Sequence, residues 1–346
     1  MTIKKIISIT AVAVISVLMI YGFILINQIF SANTKFEEKE LFVHVPSGAD
    51  YGDVKNILKP YIKNFDNFEM VASKRGYLNN VKSGRFLLKK DMNNIDLVRA
   101  MRYNVPVKLA FNNQERLENF AGRISSQIEA DSLSLLKAIK DPDFMAANGF
   151  NEDNVFAMFI PNTYEVYWNT SAEKFRDKMI KEYHNFWTAE RIEKAKKQGL
   201  TPVQATILAS IVHKESVKKD ERPRIAGVYL NRLRLEMPLQ ADPTVIYALK
   251  LKDNDFDQVI KRVFYNDLLM KSPYNTYINT GLPPGPIAMP DITALEGVLN
   301  PEKHDYIYFC ASTERFGYHE FAATYEQHTK NARRYSEWIA SQGVMR

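Results

Sequence analysis

The chain has 346 residues, 46% of them apolar and 25% charged, the composition of an ordinary folded protein long enough for about two domains. Its formal charge of +6 is small for this length, and the lysines and arginines are interspersed with acids, so a nucleic-acid partner is not expected. The single cysteine, Cys310, allows no internal disulfide, and the histidines show no ligand spacing, so neither a metal nor any other cofactor is expected.

No charged residue occurs from Ile6 to Phe30, and a helix of that length can cross a bilayer core of about 30 Å. A cleaved signal peptide would have a shorter apolar region and a small-residue cleavage site, for which Phe30-Ser31-Ala32-Asn33 is a poor candidate. Residues 6–30 therefore read as a single-pass anchor. Lys4 and Lys5 precede the span, whereas Lys35 and Lys39 beyond it are diluted by Glu37, Glu38 and Glu40. That bias predicts residues 1–5 as a cytoplasmic tail and the body on the outer, periplasmic side of the cytoplasmic membrane.

Leu41–Val45 reads as a short strand closed by Pro46-Ser47-Gly48, and a helical pattern follows through Val54, Ile57, Leu58 and Tyr61. A helix around Phe68–Arg75, a strand near Arg85–Leu88 and a helix near Ile95–Arg102 complete a small α+β module. A boundary near Asn104 divides this module (41–104) from a helix-rich α+β domain (105–346) that opens on a strand at Val105–Phe111. Late in the chain, Tyr306–Ala311 and Tyr318–Ala322 read as a hairpin, and a last helix covers about Tyr325–Ile339.

Thr201-Pro202-Val203-Gln204 carries an N-cap threonine, a proline at the first helical position and a glutamine three residues after the cap. A helix is predicted from there to about Lys218, with Leu208, Ile211, Val212 and Glu215 on one stripe. Glu215 thus occupies a position where a core residue is expected. A carboxyl group partly withdrawn from water holds its proton nearer neutrality and can act as a general acid. The plainer alternative is a boundary glutamate paired with Arg222 or Arg224. His213 falls on the more polar side and is assigned no role.

Polar groups crowd the next segments. Asn231-Arg232-Leu233 is followed by Leu239-Gln240-Ala241-Asp242-Pro243-Thr244-Val245-Ile246-Tyr247, and Ser272-Pro273-Tyr274-Asn275-Thr276-Tyr277 leads into Thr280-Gly281-Leu282-Pro283-Pro284-Gly285-Pro286-Ile287. Tyrosine and asparagine on the second, proline-stiffened segment suit sugar recognition, and Asn231, Gln240, Asp242, Thr244, Tyr274, Asn275, Thr276 and Tyr277 are taken as candidate substrate contacts. A plain loop is the alternative for the tyrosine segment, and Asp242 before Pro243 equally fits a helix N-cap.

These segments, with Ala209-Ser210-Ile211-Val212-His213-Lys214-Glu215 and Phe159-Ile160-Pro161-Asn162-Thr163-Tyr164, resemble in order and spacing the endolytic murein transglycosylase (MltG, or YceG-like) family. The resemblance implies Glu215 as the catalytic residue and a LysM-like module over Leu41–Arg102. It implies peptidoglycan glycan strands as substrate, 1,6-anhydro-muramic ends as product and cell-wall synthases as partners in ending strand growth. Asn162, His213 and Ala241 depart from the family pattern, which usually has aspartate, glutamate and threonine there, so a second-carboxylate role at 162 or 213 is in doubt. Two rival readings are a muramidase using Glu215 with Asp242, and a non-catalytic peptidoglycan-binding scaffold.

Overall fold

In the computed structural model, which describes residues 3–342, the uncharged N-terminal run winds into one helix, α1 (Ile3–Phe30), none of it buried. Its 28 residues, at about 1.5 Å each, extend roughly 42 Å, and its most apolar window has a mean hydropathy of 2.7. The helix is long and apolar enough to cross a membrane.

The chain divides into two units, the first comprising residues up to Leu109 with Gln127–Ala130 and Glu165–Ser171. Within it, β1 (Glu40–Val45) pairs antiparallel with β2 (Gly84–Lys89), Val43 opposite Phe86. Between the strands run α2 (Tyr51–Leu58) and α3 (Phe65–Lys74), and α4 (Asn94–Ala100) follows. Each helix starts where a short polar side chain accepts a backbone N–H: Asp50 in a capping box with Asp53, Asn64 from Asn67, and Asn93 from Asp96. Alternation along the strands turns Val43, Val45, Phe86 and Leu88 onto Val54, Leu58, Phe68 and Leu97, which form the core. The returning segments are tied in by the Glu129 carboxylate, which accepts from the Ser47 amide and hydroxyl, both at 2.6 Å, and by Trp168 against His44.

Strands β3 (Val107–Ala110) and β4 (Thr163–Val166) lie on the segments where the chain passes between the units. The second unit contains α5 (Leu117–Ser125), α6 (Ser132–Ile139), α7 (Pro142–Ala147), α8 (Ala172–Phe186), α9 (Ala189–Lys197) and α10 (Pro202–Glu215). It continues through α11 (Arg222–Arg234), α12 (Asp242–Asp253), α13 (Tyr265–Leu268), α14 (Ile292–Leu299), the hairpin β5 (Tyr308–Ala311) and β6 (His319–Ala322), and α15 (Tyr325–Ser341). The hairpin and the last helix fall where the sequence predicts them.

Helix α10 begins with the predicted capping box, Thr201 with Gln204, and Pro202 at its first position. It does not present one apolar stripe. Every residue from Ala205 to Val212 is buried, because the helix runs through the middle of the unit with α11 and α14 packed against it. Alanine and serine on its surface let those helices approach, and the buried hydroxyls are bonded: Thr206 Oγ1 donates to the Pro202 carbonyl at 3.0 Å, and Ser210 Oγ to that of Ile207 at 2.7 Å. Ser210 Oγ also accepts the Ile287 amide at 3.1 Å, which pins the proline-rich segment to α10.

That segment explains one glycine. A Cβ on Gly285 would stand 1.8 Å from the Asp153 carbonyl oxygen, a main-chain atom that cannot swing aside. Gly285→Ala should therefore destabilise the second unit at or above the upper end of the roughly 1–3 kcal/mol usual for overpacking. Thermal unfolding of the detergent-solubilised chain measures this, and an unchanged midpoint would contradict the packing described.

Candidate active site

Helix α10 stops at Glu215, short of the predicted Lys218, because Ser216 turns to extended backbone (φ −138°, ψ 131°). The turn from Ser216 to Glu221 is fixed by the buried Arg222. Its Nε donates to the Ser216 carbonyl at 3.1 Å, and its Nη1 donates to Asp291 Oδ1, the N-cap of α14, at 2.6 Å. Although burial opposes it, hydrogen bonds from His213, Arg222 and Thr293 hold the Asp291 carboxyl well below the usual carboxylate range. His213 is mostly buried, with Nδ1 3.5 Å from Asp291, and so lies closer to the core than its place in the helical pattern indicates.

Neither Arg222 nor Arg224 pairs with Glu215, since Arg224 pairs with Glu302 at 3.0 Å and Arg222 with Asp291. The hydrogen-bond partner of Glu215 is Tyr229 from α11, whose hydroxyl donates to Oε1 at 2.5 Å while the rest of the ring is 1% exposed. Burial pushes the Glu215 carboxyl up to about 7. The Tyr229 hydrogen bond, the His319 charge and the Arg232 charge pull it down, and the Asp242 charge pushes it further up. Burial, with the neighbouring Glu215 charge, keeps the Tyr229 hydroxyl protonated far above its ordinary range. The arrangement is a carboxyl group that gains or loses a proton near neutrality, with a fixed hydroxyl donor for its ionised form.

The structure brings three of the predicted contacts into this neighbourhood. Asp242 is not a helix cap. Ala241 occupies the cap position, and Asp242 Oδ1 instead accepts the Tyr277 hydroxyl at 2.5 Å. Gln240, exposed, adopts φ 51°, and its Oε1 accepts from Arg232 Nη1 at 3.3 Å. Arg232 also gives Nε to the Ile307 carbonyl at 2.6 Å and Nη1 to that of Leu239 at 2.8 Å, so the guanidinium staples the Gln240 loop to the hairpin.

The other candidates sit behind these. Thr244 and Thr276 share a 2.8 Å buried hydrogen bond, and Thr276 Oγ1 accepts the Ala241 amide. Asn275 is wholly buried, donating Nδ2 to the Leu268 and Met270 carbonyls and accepting the Tyr277 amide. Asn231 donates to the His304 and Tyr306 carbonyls and lines a cleft of about 980 Å³ that Glu215 does not border. Tyr274 packs on Tyr247, ring centres 4.8 Å apart, and lines another cleft, of about 560 Å³, with Arg116 and Asp153.

Sequence reasoning missed Tyr229, Arg232 and His319. Tyr229 and Arg232 stand three residues apart on α11 and so share a face, a spacing that was available next to the Asn231-Arg232-Leu233 segment. His319 comes from β6, far along the chain, and no local pattern points to it. Among the described residues, no group of three or more His, Cys, Asp or Glu side chains is placed to hold a metal ion.

Residues 43–334 match the YceG-like family, and the chain belongs to it. It is 30% identical over 314 residues to the endolytic murein transglycosylase of Bacillus subtilis, covering 85% of this chain and 84% of that protein. It is 26% identical over 336 residues to the endolytic murein transglycosylase of Streptococcus pneumoniae, of whose length the match spans 58%. The crystal structure of a yceG-like protein from Listeria monocytogenes is similar, with a TM-score of 0.56 and 30% identity, covering 85% of this chain and 99% of the other.

Removing the hydroxyl that favours ionised Glu215 should raise its titration midpoint above about 7. The carboxyl ¹³C resonance of Glu215 in Tyr229→Phe, followed against pH, should shift upward by about one pH unit, the scale of one hydrogen bond to a charged group. A midpoint that stays or falls would refute the Tyr229 contact.

Proposed function

We propose that the chain is an endolytic lytic transglycosylase that severs the bond between N-acetylmuramic acid and N-acetylglucosamine within peptidoglycan glycan strands. The observation that carries this reading is Glu215 at the end of α10 with the Tyr229 hydroxyl 2.5 Å away, a carboxyl that burial pushes up to about 7. The names of the Bacillus and Streptococcus relatives support the same substrate class.

In the first step Glu215 gives its proton to the glycosidic oxygen as the bond from that oxygen to the muramic C1 breaks. The electron pair leaves with the N-acetylglucosamine, and C1 becomes oxocarbenium-like. Glu215 is now a carboxylate, held by the Tyr229 hydroxyl and by the charges of Arg232 and His319. It then takes the proton from the muramic C6 hydroxyl, whose oxygen closes onto C1. The product is a 1,6-anhydro end, no water is consumed, and Glu215 is again protonated. Gln240, Asp242 and Tyr277 are proposed to touch the sugars. Asn231 on α11 and Thr244 on α12, with Tyr274, Asn275 and Thr276 from the loop beyond, are proposed to act by holding the neighbouring segments in place, since their polar groups bond within the protein.

Helix α1 is proposed to remain as the anchor, its tail in the cytoplasm on the strength of Lys4 and Lys5. The β–α–α–β order of β1, α2, α3 and β2 supports a LysM-like glycan-binding module over Leu41–Arg102. An anchored enzyme of this kind would meet strands as they leave the membrane, which fits a role in ending their growth beside cell-wall synthases. Sodium carbonate washing of membranes tests the anchor. The full-length chain should stay with the lipid, and a shortened soluble form would refute it.

Asp242 favours one rival reading, because its charge reaches Glu215 and a hydrolase needs a second carboxylate. One experiment separates the two. With purified peptidoglycan, the parent chain should yield anhydro ends by mass, and Glu215→Gln should lose at least the upper end of the roughly 10²–10⁴-fold typical of general acid–base catalysis. Asp242→Asn should fall less. Reducing ends, with equal loss in both variants, would replace the lyase by a muramidase, and undiminished cutting by Glu215→Gln would remove Glu215 from the chemistry.

A further inference from the structure

A second carboxyl group, Glu221, lies buried close to Glu215 and takes no part in the steps above. It is 4% exposed, and an ionised carboxylate so far from water needs hydrogen-bond donors on both oxygens. Oε1 accepts the His319 backbone amide at 2.8 Å, and Oε2 accepts from His319 Nδ1 at 2.8 Å and from Ser216 Oγ at 3.3 Å. Glu221 thus grips one histidine at two points, and it also grips the residue that follows Glu215. With Nδ1 committed to Glu221, the ring is fixed in orientation.

From His319 the packing leads to Glu215. The Phe309 ring meets the imidazole edge-to-face at 5.1 Å and the Tyr229 ring edge-to-face at 5.9 Å, and Tyr229 donates to Glu215. The hairpin tip is clasped to the same turn, since the Tyr318 hydroxyl meets Asp220 at 3.1 Å and Lys218 lies over its ring. The hairpin is therefore held against the end of α10 by groups that flank Glu215 in sequence. The His319 charge also acts on Glu215 directly, opposing burial. The other charged or titratable groups turned toward Glu215 among the described residues are Tyr229 and Arg232 from α11, Asp242 from α12 and Tyr277, whose hydroxyl is held by Asp242.

We propose that His319, clamped by Glu221, is a positioning residue for Glu215: its charge steadies the carboxylate left by proton donation, and its ring braces Tyr229 through Phe309. The inference rests on Glu215 being the acid and base. The pair favours the ionised Glu215 that exists between proton donation and uptake of the C6 proton. When protonated, the His319 ring favours the ionised form in a site whose burial works against it.

His319→Asn tests this, because the asparagine amide can still donate to Glu221 from the place of Nδ1 but carries no charge. Without the cation the Glu215 midpoint should rise, so the alkaline limb of the kcat profile and the Glu215 carboxyl resonance should both move upward by about 0.5–1 pH unit. KM should change less than kcat, since the residue does not bind sugar. Should His319→Asn fail to fold, His319→Gln removes the same charge and is read in the same way. A folded variant that loses activity while both midpoints stay fixed would show a merely structural clasp and overturn the proposal. The resonance is read without turnover, so the two failures are distinguishable. Cutting by Glu215→Gln ends the acid–base reading and this proposal with it, whereas an unmoved midpoint where Glu215→Gln is inactive ends this proposal alone.

Discussion

The candidate site depends on one constraint, that a carboxyl group be held at the edge of water by the last residue of a helix buried from Ala205 to Val212. Helix α10 is fixed at its start by the Thr201–Gln204 box and Pro202, and 14 residues at about 1.5 Å carry it roughly 21 Å to Glu215. Its small residues let α11 and α14 close around it. Tyr229 then arrives from α11, and the Arg222–Asp291 pair ties the following turn to α14. A bulkier residue at the buried Ser210 would displace the Ile287 segment that is bonded to it. The packing of the core and the chemistry of the site are set by the same side chains.

The electrostatics of Glu215 are a balance of opposed influences. Burial alone would hold the proton too firmly for ready donation, and full exposure would leave a carboxylate with no proton to give. The charges of Arg232 and His319 and the Tyr229 hydroxyl favour the ionised form, while burial and the Asp242 charge favour the neutral one. A group proposed as acid in one step and base in the next works best when neither form is strongly preferred. That condition is met by neighbours from α11, α12 and β6, none of them adjacent to Glu215 in the chain.

The same fact explains what the sequence disclosed. Features set by local geometry were legible: the capping box of α10, the β5–β6 hairpin, the alternation of β1 and β2, and the apolar run of α1. The end of α10 was misplaced by a few residues because the stop comes from Arg222 taking the Ser216 carbonyl, a tertiary contact. The dipeptide Asp242-Pro243 looks like a helix start, and a helix does start there. What the pattern cannot reveal is that the Asp242 side chain is claimed by Tyr277. Glu215 stood out because a carboxyl in an apolar pattern is visible locally. Tyr229 carries no local mark that separates it from other aromatics of the chain, and neither does His319.

The polar segments around 239–247 and 272–280 are conspicuous, yet several of their polar side chains, Thr244, Asn275 and Thr276 among them, are buried. A buried polar group must find a partner, and in these loops the partners are carbonyls and hydroxyls of the other loop: Thr244 with Thr276, the Ala241 amide with Thr276, and the Gln240 amide with the Thr276 carbonyl. The start of α12 and the 272–280 loop are polar because they brace each other through these bonds. Such bracing permits a costly backbone at Gln240, whose φ of 51° is disfavoured for a side chain with a Cβ and is held by Arg232 against the Leu239 carbonyl and the Gln240 amide oxygen. The strained residue is also an exposed one beside Arg232, whose charge reaches Glu215. Rigidity is therefore concentrated behind the few groups that remain free to face a substrate, which is where it can fix geometry without occupying the site.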